Sequence, residues 1–254
     1  MLYVIFLYCT ICFTFKNGYL TIDYSKNQFI KRSLIIHNYI SILLSVYIFT
    51  GIFIEVLRNH YSLVGNKLNH DHVNLVHYLQ VFHLSKYYEL MDSMFMILRN
   101  KIRQLSGLHI YHHASTIVYT WLILRLYPGG DMYMGPLLNS WIHIWMYLYY
   151  CLSAKLDKRN RIKYLWWNQI LTLNQITQFC INMIHSVFAM IYGESAIFFL
   201  SAIGFLHQLS FLVLFWKFYY KKYVCKTRLI MKLCEKSRQL YSELQRYESK
   251  NNSN

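Results

Sequence analysis

His109, His112 and His113 stand in the string Leu-His-Ile-Tyr-His-His-Ala, and spacings of three and four residues put all three on one face of a helix. Imidazole, largely neutral near pH 7, can bind a metal, pass a proton or act as a nucleophile, so a convergent set is a candidate reaction centre. Further along, Asn139, His143, Tyr147 and Tyr150 recur at near-helical spacing, and Asn168, Thr172, Gln175, Gln178, Asn182 and His185 follow along one stripe. Upstream, Lys86 and Glu89 lie three residues apart, with Asp92 and Ser93 next. Such a pair can staple two helices together, or it can also shape and hydrogen-bond a reaction chamber. His37, His60, His70, His72, His77, His83 and His207 have no such partner pattern and read as ordinary loop or interface histidines.

The elements that must carry these groups are apolar. Hydrophobic residues make up 56% of the 254, aromatics 18%, and two prolines interrupt them, which is too apolar for one water-surrounded core. A helix crossing a bilayer needs roughly 20 residues. Candidate spans run over 2–15, 34–57, 75–98, 108–127, 132–154, 164–191 and 196–220, the first short enough to be a marginal helix. The net charge of +15 does not point to nucleic acid, because the basic residues sit in short segments between apolar runs. Residues 16–33, 99–107, 155–163 and the tail from Lys217 hold all but four of the 26 lysines and arginines. Arg58, Lys67 and Arg125 fall on the other side, and Lys86 falls inside a span. The positive-inside rule then predicts a lumenal N-terminus and a cytosolic C-terminus. One charge at mid-membrane costs about 2.5–3.5 kcal/mol, so Lys86, Glu89 and Asp92 are expected to face inward and pair. The six cysteines show neither paired metal spacing nor a secreted disulfide framework.

Four stretches match a known pattern in order, one per predicted span. They are Lys86-Tyr-Tyr-Glu89-Leu-Met-Asp92-Ser93, then His109-Ile-Tyr-His112-His113, then Asn139-Ser-Trp-Ile-His143-Ile-Trp-Met146-Tyr147-Leu-Tyr149-Tyr150, and Thr172-Leu-Asn-Gln175-Ile-Thr-Gln178-Phe179. Together they resemble the very-long-chain fatty acid elongase (3-ketoacyl-CoA synthase) family over roughly residues 72–220. Ser93 stands where the family commonly has Thr, and Gly107 where Phe is usual. The N-terminal region is shorter than in most members, and Lys250 is followed by Asn-Asn-Ser-Asn rather than a di-lysine signal. Residence in the endoplasmic reticulum is therefore an expectation from the resemblance alone.

The resemblance implies an all-α membrane protein of seven transmembrane helices, with helices two to seven closed around an acyl tunnel. It implies one integral-membrane domain over 1–254, with a first helix and cytosolic loop over 1–33 and a cytosolic tail over 221–254. The implied reaction condenses a long-chain acyl-CoA with malonyl-CoA, with no cofactor and no metal. Within that frame His112 is expected to take the acyl group as an acyl-imidazole, since no cysteine neighbours the His box and Cys151 is only a mild candidate. His143 is expected to handle the malonyl thioester and its enolate, with Asn139 and Tyr147 as donors and with His109 and His113 fixing tautomer and orientation. Lys86, Glu89, Asp92, Gln175 and Gln178 would shape the polar wall. Arg99, Lys101, Lys155 and Lys217 would meet the CoA phosphates, along with Arg103. The ketoacyl reductase, dehydratase and enoyl reductase of the same cycle are expected partners, and a second copy of the chain a further one. Two rival readings are a membrane di-iron desaturase or hydroxylase, which would need about eight clustered His ligands in several boxes, and a non-enzymatic seven-helix receptor or transporter.

Overall fold

The computed structural model describes residues 1–69, 73–225 and Glu235. His70, His72 and the tail beyond Cys225, Glu235 apart, lie outside the described residues. Every regular element among them is helical: α1 Leu2–Lys16, α2 Gln28–Arg58, α3 Val73–Tyr88, α4 Met91–Leu98, α5 Gly107–Leu126, α6 Met134–Lys155, α7 Lys158–Tyr164, α8 Asn168–Tyr192 and α9 Ser195–Tyr219, with a 3-10 turn over Gly130–Tyr133 and a π turn over Tyr220–Val224. Two helices, Gln28–Arg58 and the run Ile197–Val224, are long and apolar enough to cross a membrane.

Helix starts follow the local chemistry. Asn27 caps α2 by accepting from the Phe29 and Ile30 amides at 2.8 and 3.4 Å, so α2 begins at Gln28, before the expected 34, and takes Lys31 and Arg32 into its first turns. Ser106 caps α5 by accepting from the His109 amide at 3.1 Å, which fixes the first turn of the His box. Two expected spans are interrupted. The segment 75–98 divides into α3 and α4 at Glu89–Leu90, where the Leu90, Asp92 and Ser93 amides reach back only three residues. The segment 164–191 loses its first turn, because the short α7 ends at Tyr164 and α8 starts at Asn168.

The chain forms two compact units, Met1–Leu212 and Val213–Asn254. In the first, α2 packs most extensively on α6, α2 also on α3, α6 on α8, α3 on α5, and α1 on α5. α9 reaches α8 through Phe179 and Phe211, ring centroids 5.5 Å apart, and α5 through His207 Nε2 and Ser115 Oγ at 3.1 Å. Ile48, Ile52, Leu75, Leu79, Phe82 and Tyr133 form one apolar cluster. Tyr8, Cys12, Ile97 and Leu105 form another under α1. One set of loops is tied together by Asp131, whose carboxylate accepts from the Gly65 amide at 2.8 Å, the Asn66 amide at 2.8 Å and Asn66 Nδ2 at 2.7 Å. Tyr127 joins the same set by donating to Glu194 at 2.5 Å while accepting from the Leu68 amide at 2.8 Å. The second unit carries the end of α9 and the π turn.

Candidate active site

The break between α3 and α4 carries two carboxylates with different partners. Glu89 meets Lys86 Nζ at 2.7 Å, and that ammonium also donates to Asn139 Oδ1 at 2.8 Å on α6. All of this is dry: Lys86 is 3% exposed and Glu89 4%. The Lys86 Nζ also lies 4.2 Å from the Phe82 ring centre, so the charge has a carboxylate, an amide oxygen and a ring face around it. His143 Nδ1 stands 3.2 Å from Glu89 Oε1, an ion-pair distance without an aligned hydrogen bond. Glu89 therefore faces both an ammonium and an imidazole. An imidazole with Nδ1 turned to a carboxylate leaves Nε2 as the working nitrogen.

Asp92 meets α6 one turn further on, and α2 as well. Its Oδ2 accepts from the Tyr147 hydroxyl at 2.8 Å, and its Oδ1 accepts from His37 Nε2 at 3.0 Å. Tyr147 follows His143 by one turn of α6, with ring centroids 5.7 Å apart. The phenol proton of Tyr147 is thus given to Asp92 in this arrangement. Ser93 Oγ, one residue on, bonds His109 Nε2 at 2.8 Å and the Tyr8 hydroxyl at 2.9 Å.

The three histidines of the box do converge. The His109 and His113 ring centroids are 4.4 Å apart and those of His112 and His113 5.4 Å. His113 is buried, while His109 and His112 are half-buried. The His112 ring lies 4.7 Å from Phe211, and it sits within electrostatic reach of His143, Glu89, Lys86 and His109. Two α8 residues sit apart from these bonds: Gln175 Nε2 contacts Met146 Sδ at 3.8 Å, and Gln178 is buried. His185, from the same stripe, bonds the Leu63 carbonyl at 3.0 Å, within reach of the loops that Asp131 ties and not of this cluster. Among the expected phosphate contacts, Arg99 is half-buried just after α4 and Lys101 is exposed. Lys155 ends α6, its ammonium on the Tyr39 hydroxyl and 4.6 Å from that ring centre. Lys217 lies on the last turn of α9, in the second unit.

Three of the histidines read as ordinary loop or interface residues lie at interfaces between helices, with named partners. His37 is 4% exposed and holds Asp92. His83 Nδ1 bonds Thr120 Oγ1 at 2.7 Å, and His207 Nε2 bonds Ser115. Tyr8, on the short first helix, reaches Ser93 although no spacing in the sequence pairs them. The sequence signal for His37 is an ionisable group inside a predicted span, which marks it even without a spaced partner. Among the described residues no group of three or more His, Cys, Asp or Glu is arranged to hold a metal ion, and Cys9, Cys12, Cys151, Cys180 and Cys225 are free thiols.

The profile of the GNS1/SUR4 family matches residues 1–229. The chain belongs to that family. It is 36% identical over 202 residues to very long chain fatty acid elongase 5 of Xenopus tropicalis, covering 76% of this chain and 66% of that protein. To elongase 2 of Mus musculus it is 32% identical over 210 residues, 79% of this chain and 70% of the relative. To elongase 4 of Homo sapiens it is 33% identical over 196 residues, 75% and 61% respectively. The chain thus spans about two thirds of the length of the curated relatives it matches. All four motif stretches fall inside the family match, and the Lys86, His109, Asn139 and Thr172 stretches lie on α3–α4, α5, α6 and α8 in turn.

Proposed function

We propose that this membrane protein condenses a long-chain acyl-CoA with malonyl-CoA to give a 3-ketoacyl-CoA two carbons longer, CO2 and CoA. It is a very-long-chain 3-oxoacyl-CoA synthase, an acyltransferase of fatty acid elongation, as its family and relatives support. The observation that carries the site reading is Glu89 between Lys86 and His143, buried beside the His box that holds His112. In this reading a ring nitrogen of His112 attacks the acyl thioester, the carbonyl carbon gains a C–N bond, and CoA leaves as a thiolate that takes a proton. The acyl-imidazole is kept from water by the bundle interior. Malonyl-CoA then loses CO2, its carbanion attacks the acyl carbon, and the His112 imidazole departs. His143, oriented through Nδ1 by Glu89, stabilises the enolate through Nε2. Asn139 holds Lys86 with its oxygen and so keeps its amide N–H groups for the substrate.

The acyl chain needs an apolar tunnel, since each buried methylene contributes about 0.8 kcal/mol. A seven-span protein with helices two to seven closed around that tunnel is supported by the order of contacts, α2 to α6, α8, α9, α5, α3 and back to α2, with α1 outside on α5. The chain acts as a single membrane domain in the endoplasmic reticulum with its C-terminus cytosolic. Arg99, Lys101 and Lys155 meet the CoA phosphates at the cytosolic mouth, and the other three enzymes of the cycle and a second copy of the chain are its partners. The decisive experiment is His112→Ala in an elongase-deficient cell. The variant inserts normally and forms no 3-ketoacyl product from labelled malonyl-CoA; full activity would remove His112 as the nucleophile.

A further inference from the structure

We propose that His37 is a positioning residue for the malonyl half of this reaction, acting through Asp92 on Tyr147. The proposal rests on the condensation reading above. His37 is the tenth residue of α2 and one of its buried residues, where an imidazole is costly without a partner. Its ring packs against Tyr88, Phe95 and Tyr147, with centroids 4.7, 5.3 and 6.1 Å away. Phenylalanine would fill that slot as well, so packing does not account for the nitrogen. What the nitrogen adds is the 3.0 Å bond to Asp92 Oδ1, whose other oxygen takes the Tyr147 hydroxyl at 2.8 Å.

Glu89 and Asp92 thus each face one imidazole, Glu89 at ion-pair distance from His143 without an aligned hydrogen bond and Asp92 hydrogen-bonded to His37. Glu89 serves His143, and Asp92 serves His37 while reaching Tyr147, one turn beyond His143. The chemistry at Asp92 follows from sharing. A buried carboxylate with one donor holds a phenol proton tightly, whereas a second donor from His37 draws part of its charge away. Tyr147 can then turn its hydroxyl toward an enolate oxygen as negative charge develops beside His143, and Asp92 stays satisfied by His37. Without His37, Tyr147 remains locked on Asp92.

The test separates the two half-reactions in the purified full-length protein. Acyl-CoA alone gives a burst of free CoA from His112, and malonyl-CoA added next gives labelled CO2. His37→Phe keeps the packing and removes the donor. It is expected to leave the CoA burst within about twofold of wild type and to slow CO2 release by roughly 10- to 100-fold. His37→Gln restores a donor and recovers most of the rate. In a double-mutant cycle, His37→Phe adds no further loss to Tyr147→Phe, because both act on one contact. Should the Phe variant fail to insert, His37→Leu is read the same way. The proposal is overturned if either donorless variant releases CO2 at the wild-type rate, if both half-reactions fall in parallel in the Gln variant too, or if the losses at 37 and 147 multiply. Wild-type protein that gives no CoA burst, or no CO2 from malonyl-CoA, would strike the condensation reading instead.

Discussion

Lys86 shows how one residue can be both tolerated and useful in a place where charge is expensive. Its ammonium is almost fully enclosed, and it survives because Glu89, Asn139 and the Phe82 ring surround it. Breaking a buried pair from one side leaves an uncompensated charge, which costs about 3–5 kcal/mol. Glu89→Gln is therefore expected to lower the thermal midpoint in detergent markedly and to abolish condensation. The double variant Lys86→Met/Glu89→Gln removes both charges and should regain most of the stability while staying inactive, since His143 has still lost its carboxylate. A double variant as unstable as the single one would show that the pair is not what Lys86 requires. The motif spacing made Lys86 and Glu89 legible as partners; it could not show that His143 shares the same carboxylate, because that contact joins residues 54 positions apart on separate helices.

At the scale of the elements, the chain tightens at Glu89–Leu90, where amides reach back three residues instead of four. Side chains three apart come closer to eclipsed there than in an α-helix, so Glu89 and Asp92 both address α6, at His143 and one turn on at Tyr147, and Asp92 reaches α2 through His37 as well. Hydropathy and charge spacing carry no signal for such a change of pitch. Close approach also matters where α5, α8 and α9 meet. A Cβ on Gly204 would collide with the Tyr119 hydroxyl and would come 3.6 Å from Ser186 Oγ, so any larger residue there must displace the Tyr119 side chain. Gly204→Ala is expected to cost about 1–3 kcal/mol by overpacking, read as a lower unfolding midpoint. Adding Tyr119→Phe, which deletes the colliding oxygen, should recover part of it; no recovery would mean that the alanine acts elsewhere.

For the whole molecule, the loop contacts bear on the proposed sidedness. Asp131, Asn66, Tyr127 and Glu194 join the loops after α2, after α5 and after α8, the three sparse in basic residues. Of the segments rich in Lys and Arg, 16–33 meets the end of α4, where the Tyr24 amide donates to the Leu98 carbonyl at 2.8 Å. An Asn-X-Ser/Thr acceptor inserted between Leu63 and Asn66 is expected to be glycosylated in microsomes, and one inserted beside Asp157 to remain unmodified. The reverse pattern would invert the proposed topology.

What the sequence carries by itself is an apolar solvent and an expected sidedness, and its motifs point to the chemistry. Apolar length and the distribution of 26 basic residues carry the first two, because both follow from composition along the chain. The four polar stretches carry the third through the family they match, while helical spacing alone places only His109, His112 and His113 on one face. Only the tertiary structure decided which carboxylate serves which imidazole, that α1 brings Tyr8 to Ser93, and that His37 holds Asp92. These are contacts between residues 54 or more positions apart, fixed by how helices cross and bend, and no local period in a single chain records them.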